Sequence, residues 1–364
     1  MRPVLIDMIR QSGREPANKK LLNEIDRLQH NPDDDAPLLQ IRPANQWLAL
    51  QRDKPRTQML FGNFWLEGEL CILFADTNMG KSILAVQLGD SISKHQPING
   101  FELHIPASPV LYVDFELSTQ QFEARYTDAN GTPYNFDQQF YRAEVDLQAQ
   151  KPGHFATFID FVGHTLHRAI KQTGARVLII DNITCLGGSA EQSGPALAMM
   201  RQLKLLKTRH QLSILVLAHT PKRAGGKPIT RNDLGGSKML INFADSAFAM
   251  APSGTQPNCR YLKQVKQRGG TETYGANNVC VFKLNRSGSF LNFDLLGNAP
   301  EHEHIRTPDR HDRERLIQQV ISLKSQGHTQ RHIANQLRLS LGKVNKLIAE
   351  GEAGQVIVKI IGQR

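Results

Sequence analysis

A chain of 364 residues suits about two average domains or one large domain with appendages, and 40% hydrophobic against 21% charged residues is globular composition that excludes a mostly disordered or fibrous protein. Lysine and arginine number 44 against 34 acidic residues, a formal +10 that points to a polyanion or an acidic surface as partner. No uncharged apolar run nears the ~20 residues a bilayer demands, the start MRPVLIDMIR has no signal-peptide pattern, and the four dispersed cysteines make no Cys-x-x-Cys pair, so a soluble, cytoplasmic protein without structural zinc or disulfides is expected.

Residues 1–56 are polar. One helical patch places Leu21, Leu22, Ile25 and Leu28 at helical spacing, and Asn31-Pro-Asp-Asp-Asp-Ala-Pro37 then reads as a loop, so this stretch is expected to be an N-terminal arm and linker. From residue 57 short apolar runs alternate with helical stretches. Leu70–Ala75, Val110–Asp114, Val177–Asp181 and Ser213–Ala218 read as strands buried on both faces. Ser82–Lys94, Ala156–Thr173 and Gly194–His210 read as the helices between them. That alternation predicts an α/β fold with a doubly wound, mostly parallel sheet, and ligands of such sheets bind at the carboxyl ends of the strands. After Ala218, Ser246–Met250, Arg260–Gln267, Cys280–Leu284 and Phe290–Leu295 predict added strands of antiparallel type. The His-, Pro- and charge-rich stretch 298–311 reads as a linker, so the expected core spans 57–297.

The first strand runs into Ala75-Asp-Thr-Asn-Met-Gly-Lys-Ser82 and then into an apolar helix. This is the strand–loop–helix context of a P-loop, in which backbone N–H groups and a helix N-terminus converge on a phosphate. Ala75, Asp76, Thr77, Asn78, Met79, Gly80, Lys81, Ser82 and Ile83 are the expected nucleotide-binding residues, with ATP and Mg²⁺ as cofactors. Lys81 supplies the mobile charge to the β- and γ-phosphates and Ser82 a hydroxyl ligand to the metal. One departure stands out: the first glycine of G-x-x-x-x-G-K-S/T is Ala75, tolerable where its φ stays negative. Val177–Asp181 has the Walker B form of four apolar residues and an acid, so Asp181 is the second candidate metal residue. Its follower is Asn182 rather than a glutamate, and the water-activating carboxylate must come from elsewhere. The end of the Val110–Asp114 strand offers Glu116 as general base and Asp114 as fallback, the other reading being an acid that caps the segment at Ser118 and Thr119.

A P-loop on the first core strand, a glutamate at the end of the next and a Walker B aspartate without a trailing glutamate together resemble the RecA-type ATPases. Asp114-Phe-Glu-Leu-Ser118 and Val265-Lys-Gln-Arg268 further resemble hexameric replicative helicases of the DnaB and plasmid RepA kind, over residues 57–297. The resemblance implies a RecA-like core in which Lys81 and Ser82 bind nucleotide and metal, Asp181 assists the metal and Glu116 activates water. It also implies that His219, just after the Ser213–Ala218 strand, senses the γ-phosphate. Lys266 and Arg268, two apart on a strand and so facing one way, would reach a neighbour's γ-phosphate in a ring. A basic edge strand that discourages pairing is the alternative.

Between Pro221 and Arg268 nine Lys/Arg stand against Asp233 and Asp245, a net +7. Lys222, Arg223, Lys227 and Arg231 form a glycine-containing basic loop directly after His219. In the resembling ATPases such loops grip single-stranded DNA, here by electrostatics, since the loop has no aromatic residue.

Residues 312–364 predict a small helical domain. Arg315–Leu323 is apolar at helical spacing, Gly327 ends it, Thr329 caps a short helix bearing Ile333, Ala334 and Leu337, and Ser340 caps a third bearing Val344, Leu347 and Ile348. This resembles a helix-turn-helix, whose third helix would offer Lys343, Asn345 and Lys346 to duplex DNA. Docking of a partner protein is the alternative. Gln355–Ile361 reads as a small strand or wing. Together these features lead to the expectation of an ATP-dependent helicase or translocase, a homo-oligomeric ring of hexamer type acting on single-stranded DNA in replication. A RecA-type ATPase switch for regulation or recombination is the second reading, and a non-hydrolysing binding module the third.

Overall fold

The computed structural model describes residues 39–52, 57–146, 149–183, 193–220, 226–234, 238–305 and 310–361. The expected Leu21–Leu28 helix, the Asn31–Pro37 loop, Cys185, Lys222 and Arg223 lie outside the described residues. Two compact units divide the chain at residues 56 and 57. The first contributes one described helix, α1 (Ala44–Arg52).

The second unit opens with a small hairpin, β1 (Met59–Phe61) and β2 (Trp65–Leu66), and then builds the main sheet. In chain order come β3 (Leu70–Ala75), α2 (Lys81–Lys94), β4 (Val110–Asp114), α3 (Thr119–Arg125), β5 (Phe140–Glu144), α4 (Phe158–Thr173) and β6 (Val177–Asp181). They are followed by α5 (Ser193–His210), β7 (Ser213–His219), α6 (Lys238–Phe243), β8 (Ser246–Pro252), β9 (Cys259–Gln267), β10 (Val279–Ser287) and β11 (Phe290–Ala299). The sheet has nine strands in the order β11-β10-β9-β8-β3-β7-β6-β4-β5. Its β5-to-β8 half is parallel, and β8-β9, β9-β10 and β10-β11 are antiparallel.

Alternate side chains of the central strands enter two separate cores. Leu70, Ile72 and Phe74 of β3 join the core that includes Leu166 of α4 and Leu203 of α5, whereas Cys71, Leu73 and Ala75 join the core that includes Leu84 and Leu88 of α2. Burial on both faces accounts for the unbroken apolar runs. Two helix starts are set locally by reciprocal capping boxes, Ser118 with Gln121 for α3 and Thr157 with Asp160 for α4.

Three expectations need correction. Ser246–Pro252 pairs parallel to β3, not antiparallel, because the chain leaves β7 and crosses back through α6 to the sheet's starting end before entering β8. Residues 298–305, read as linker, finish β11 and form a 3₁₀ turn at Glu301–Glu303 whose Glu301 and His304 are buried against the core. Gln355–Ile361 is not a strand: it is the end of a continuous helix α9 (Leu341–Ile361). A lone strand there would leave its backbone groups without a ladder, whereas an already started helix satisfies them within itself.

The helices preceding α9 are α7 (Arg310–Ser325) and α8 (Gln330–Gln336). Val320, Ile333, Ala334, Val344, Leu347 and Ile348 form a separate small core among the three helices, and Arg313 pairs with Glu350 at 2.8 Å across α7 and α9. Thr329 Oγ1 accepts from the His332 amide and Ser340 Oγ from the Lys343 amide, so both expected caps are present.

Candidate nucleotide site

Parallel pairing brings the carboxyl ends of β3, β7, β6 and β4 side by side, with Ala75 opposite His219 and Asp114 opposite Asp181. The residues chosen for their types along 145 positions of chain thus meet at one edge of the sheet. The phosphate loop leaves β3 there. Ala75 is the fully buried last residue of that strand and is not among the positive-φ residues, so a glycine is not needed at this position. Gly80 is needed at its own: φ is 97°, and a Cβ would stand 2.6 Å from the Phe293 ring. Phe293 is held in place by reciprocal bonds of its backbone with the Gln87 side chain of α2, both 2.9 Å.

Lys81 opens α2 with its ammonium buried. It donates to the carbonyls of Ala75 (3.2 Å) and Asp76 (3.0 Å) and lies 3.1 Å from His219 Nδ1. Burial lowers its pKa, with Glu116, Asp181 and Asp76 pulling the other way. An ammonium donates, so His219 Nδ1 accepts and the ring proton belongs on Nε2, 3.0 Å from Glu116 Oε1. Asn182 Nδ2 donates to the same carboxylate oxygen. The hydrogen bond from His219 holds the Glu116 carboxyl below its ordinary range, helped by the Lys81 charge against the opposing effect of burial. Glu116 is therefore an anion at neutral pH, oriented by two side chains.

Asp114, the fallback base, has a different job. Oδ1 accepts from the amides of Glu116 (3.0 Å) and Leu117 (2.9 Å), and Oδ2 receives Arg142 at 3.0 Å. Both oxygens are committed to the turn that presents Glu116, and the residue is 1% exposed, so it cannot also act on a water. Arg142 fastens the same turn by donating to the Leu117 carbonyl at 2.6 Å.

Asp181 is fully buried. Tyr112 donates to its Oδ2 at 2.6 Å, while Oδ1 is buried without a hydrogen-bond partner and the Ser82 hydroxyl faces the carboxyl. An orphaned carboxylate oxygen beside a hydroxyl at the start of a P-loop helix is a donor set that fits Mg²⁺. Burial pushes the Asp181 carboxyl up to about 6 from 3.8, with Ser82 and Tyr112 opposing. The folded protein thus prefers the neutral acid, and without metal its stability is expected to fall as pH rises from about 4 through about 6. Asp181→Asn, which keeps an acceptor for Tyr112, should stabilise metal-free protein at pH 8 by roughly 1–3 kcal/mol and leave it unchanged at pH 3.5. Urea melts in chelator at the two pH values check this, and equal stability of both proteins at pH 8 would contradict it.

Three functional positions were not singled out from the sequence. Asn182 stands out in sequence only for not being glutamate, Tyr112 is one aromatic in an apolar strand, and Arg142 sits on the weakly apolar, half-buried β5, which has no clear strand pattern. Alternation along β4 could have flagged Tyr112, which shares the period-2 set of Asp114.

The remaining candidates are placed elsewhere. Lys266 pairs with Ala247, itself beside Ile72, three residues from the phosphate loop on β3 and so ~10 Å down the strand. Its ammonium donates to the carbonyl of Ile241, and Arg268 donates to that of Asn242 at 2.8 Å and lies 3.7 Å from Asp245. The two cations face one way, as expected, and neutralise the carboxyl end of α6. Since β9 lies inside the sheet, the edge-strand alternative falls away. Lys227 and Arg231 are exposed on the chain that follows β7, and Lys343, Asn345 and Lys346 are exposed on the first turns of α9.

A phosphate loop with a buried lysine, a Walker B aspartate and a carboxylate–histidine pair at the ends of parallel strands defines the class of P-loop ATPases. The model of the AAA domain family matches residues 36–225, more than half of the chain, and the chain belongs to that family. A similar solved structure is that of the KaiC-like protein PH0186 from the hyperthermophilic archaeon Pyrococcus horikoshii OT3, 15% identical, covering 63% of this chain and 90% of that one with a TM-score of 0.45. No curated protein matches the chain. Among the described residues, no helix is long and apolar enough to cross a membrane.

Proposed function

We propose that this AAA-domain ATPase is a DNA-stimulated translocase or helicase of RecA-like type that works as a ring-shaped homo-oligomer on single-stranded DNA. The observation that carries this reading is the chain of contacts from Lys81 through His219 to Glu116, at the end of the strand from which the basic stretch departs. A change at the γ-phosphate that moves Lys81 or Glu116 acts on His219, and His219 is continuous with the segment bearing Lys227 and Arg231.

Lys81 and the amides of the phosphate loop would hold the β- and γ-phosphates, and Ser82 with Asp181 would hold Mg²⁺, which would supply charge neutralisation for phosphoryl transfer. Glu116 orients and deprotonates the attacking water, with His219 and Asn182 fixing its carboxylate. Lys227 and Arg231 hold the phosphate backbone without reading sequence. Lys266 and Arg268 serve the neighbouring subunit's nucleotide, since their own lies at the other end of the sheet.

ATP turnover with and without single strands, paired with unwinding of a forked duplex, tests the proposal. Stimulation with unwinding supports it, and turnover indifferent to single strands sinks it. Binding should weaken steeply with salt: the log–log slope falls by about 0.7–1 for each of Lys227→Ala and Arg231→Ala. Fluorescence titrations with an oligo-dT strand between 50 and 200 mM salt read the slope. The exposed Lys343, Asn345 and Lys346 on a capped helix favour a second reading, an ATP-dependent switch that binds duplex DNA through its helical tail. Stimulation without unwinding, together with sequence-selective duplex binding, would select it.

A further inference from the structure

We infer that the buried ion pair Lys263–Glu301 is a positioning device that tethers the basic segment after β7, setting how well Lys227 and Arg231 engage single-stranded DNA; the DNA part rests on the function proposed above. Lys263 lies on β9 and Glu301 in the 3₁₀ turn after β11. They are 8% and 2% exposed, and their charged atoms are 2.5 Å apart. Neither touches the nucleotide-site residues. Both instead hold one backbone unit: Glu301 Oε1 accepts from the Ile229 amide at 2.8 Å, and Lys263 Nζ donates to the Ile229 carbonyl at 2.9 Å. Tyr261 completes the set by donating to Glu301 Oε1 at 3.2 Å.

A buried ion pair is generally replaceable by apolar residues of similar volume without loss of stability, so stability alone does not account for one here. What an apolar pair cannot do is fix both polar groups of a chosen backbone residue. Ile229 is 1% exposed, and the exposed Lys227 and Arg231 lie two residues to either side of it. The tether therefore limits the freedom of both cations and reduces the ordering cost of binding a strand. It also borders the phosphate loop. A cavity of about 190 Å³, lined by Asp76 and Met79 of that loop together with Lys227, Ile229, Tyr261 and His304, separates the two.

The test compares wild type, Lys263→Met/Glu301→Leu, and Lys263→Arg, all as full chains at a temperature well below each melting midpoint. In the double variant, tryptic cleavage after Arg231 and the oligo-dT concentration for half-maximal ATPase stimulation should each rise about tenfold. DNA-free turnover should stay within about twofold, because neither residue belongs to the nucleotide site, and Lys263→Arg, which keeps cation and donors, should match wild type. If the double variant does not fold, Lys263→Gln replaces it, with an expected rise of about threefold in both readouts. Unchanged cleavage and unchanged half-saturation overturn the inference. Faster cleavage with wild-type half-saturation overturns its link to DNA. Wild-type turnover indifferent to oligo-dT sinks the proposed function instead, and cleavage then decides the tether alone.

Discussion

Glu116→Gln is expected to lower kcat for ATP hydrolysis by roughly 10²–10⁴-fold, the usual worth of a general base, while ATP binding changes little. Glutamine keeps an oxygen that can accept from His219 and Asn182, so the local geometry survives. It loses the anion that those two side chains and Lys81 hold in place, and with it the capacity to take a proton. Rapid-quench hydrolysis and binding of a fluorescent ATP analogue separate the two effects. A variant that hydrolyses ATP within tenfold of wild type would assign the base to another residue. Asp114 would not inherit the role, because both its oxygens are committed to the turn and to Arg142.

Arg268→Ala is expected to cost more, about 10³–10⁵ in DNA-stimulated turnover, the range found for trans-acting arginines in phosphoryl transfer. As a purely intramolecular residue Arg268 would cost only about 1 kcal/mol of stability, because its guanidinium is half exposed and its ties are one carbonyl and a 3.7 Å approach to Asp245. The two roles are distinguished by mixing. Arg268→Ala subunits keep the base and lack the finger, whereas Glu116→Gln subunits keep the finger and lack the base. Each alone should be nearly inactive, and a mixture should recover measurable turnover at interfaces that pair an intact base with an intact finger. Mixtures as inactive as their parts would confine Arg268 to its hold on α6. Native mass spectrometry in ATP supplies the companion observation, since strictly monomeric protein has no neighbour for Arg268 to serve.

How far the site could be read in advance follows from the range over which each signal acts. Asp181 and His219 end apolar strands, Glu116 follows one by two residues, and Lys81 and Ser82 open the helix after the phosphate loop; these were legible because strands buried on both faces and a Gly-Lys-Ser helix start announce themselves in sequence. Ala75, the departure from the glycine pattern, is harmless for a local reason, as the turn opens only beyond it. Arg142, by contrast, acts 28 residues from Asp114 and from the weakly apolar edge strand Phe140–Glu144, where only half-burial is available to mark it.

Local patterning thus settled strands β3, β4, β6, β7 and β8 to β11, helices α2, α4 and α5, the caps of the C-terminal helices and the identity of the phosphate loop, because period, turn chemistry and capping act within a few residues. Folding added what depends on pairing between distant segments. It set β8 parallel to β3, joined residues 298–305 to the core through Glu301, aimed Lys266 and Arg268 at the end of α6, and placed His219 between Lys81 and Glu116. A hydrogen bond or a buried charge is specified by the partner that reaches it, and here those partners lie 25 to 206 residues away.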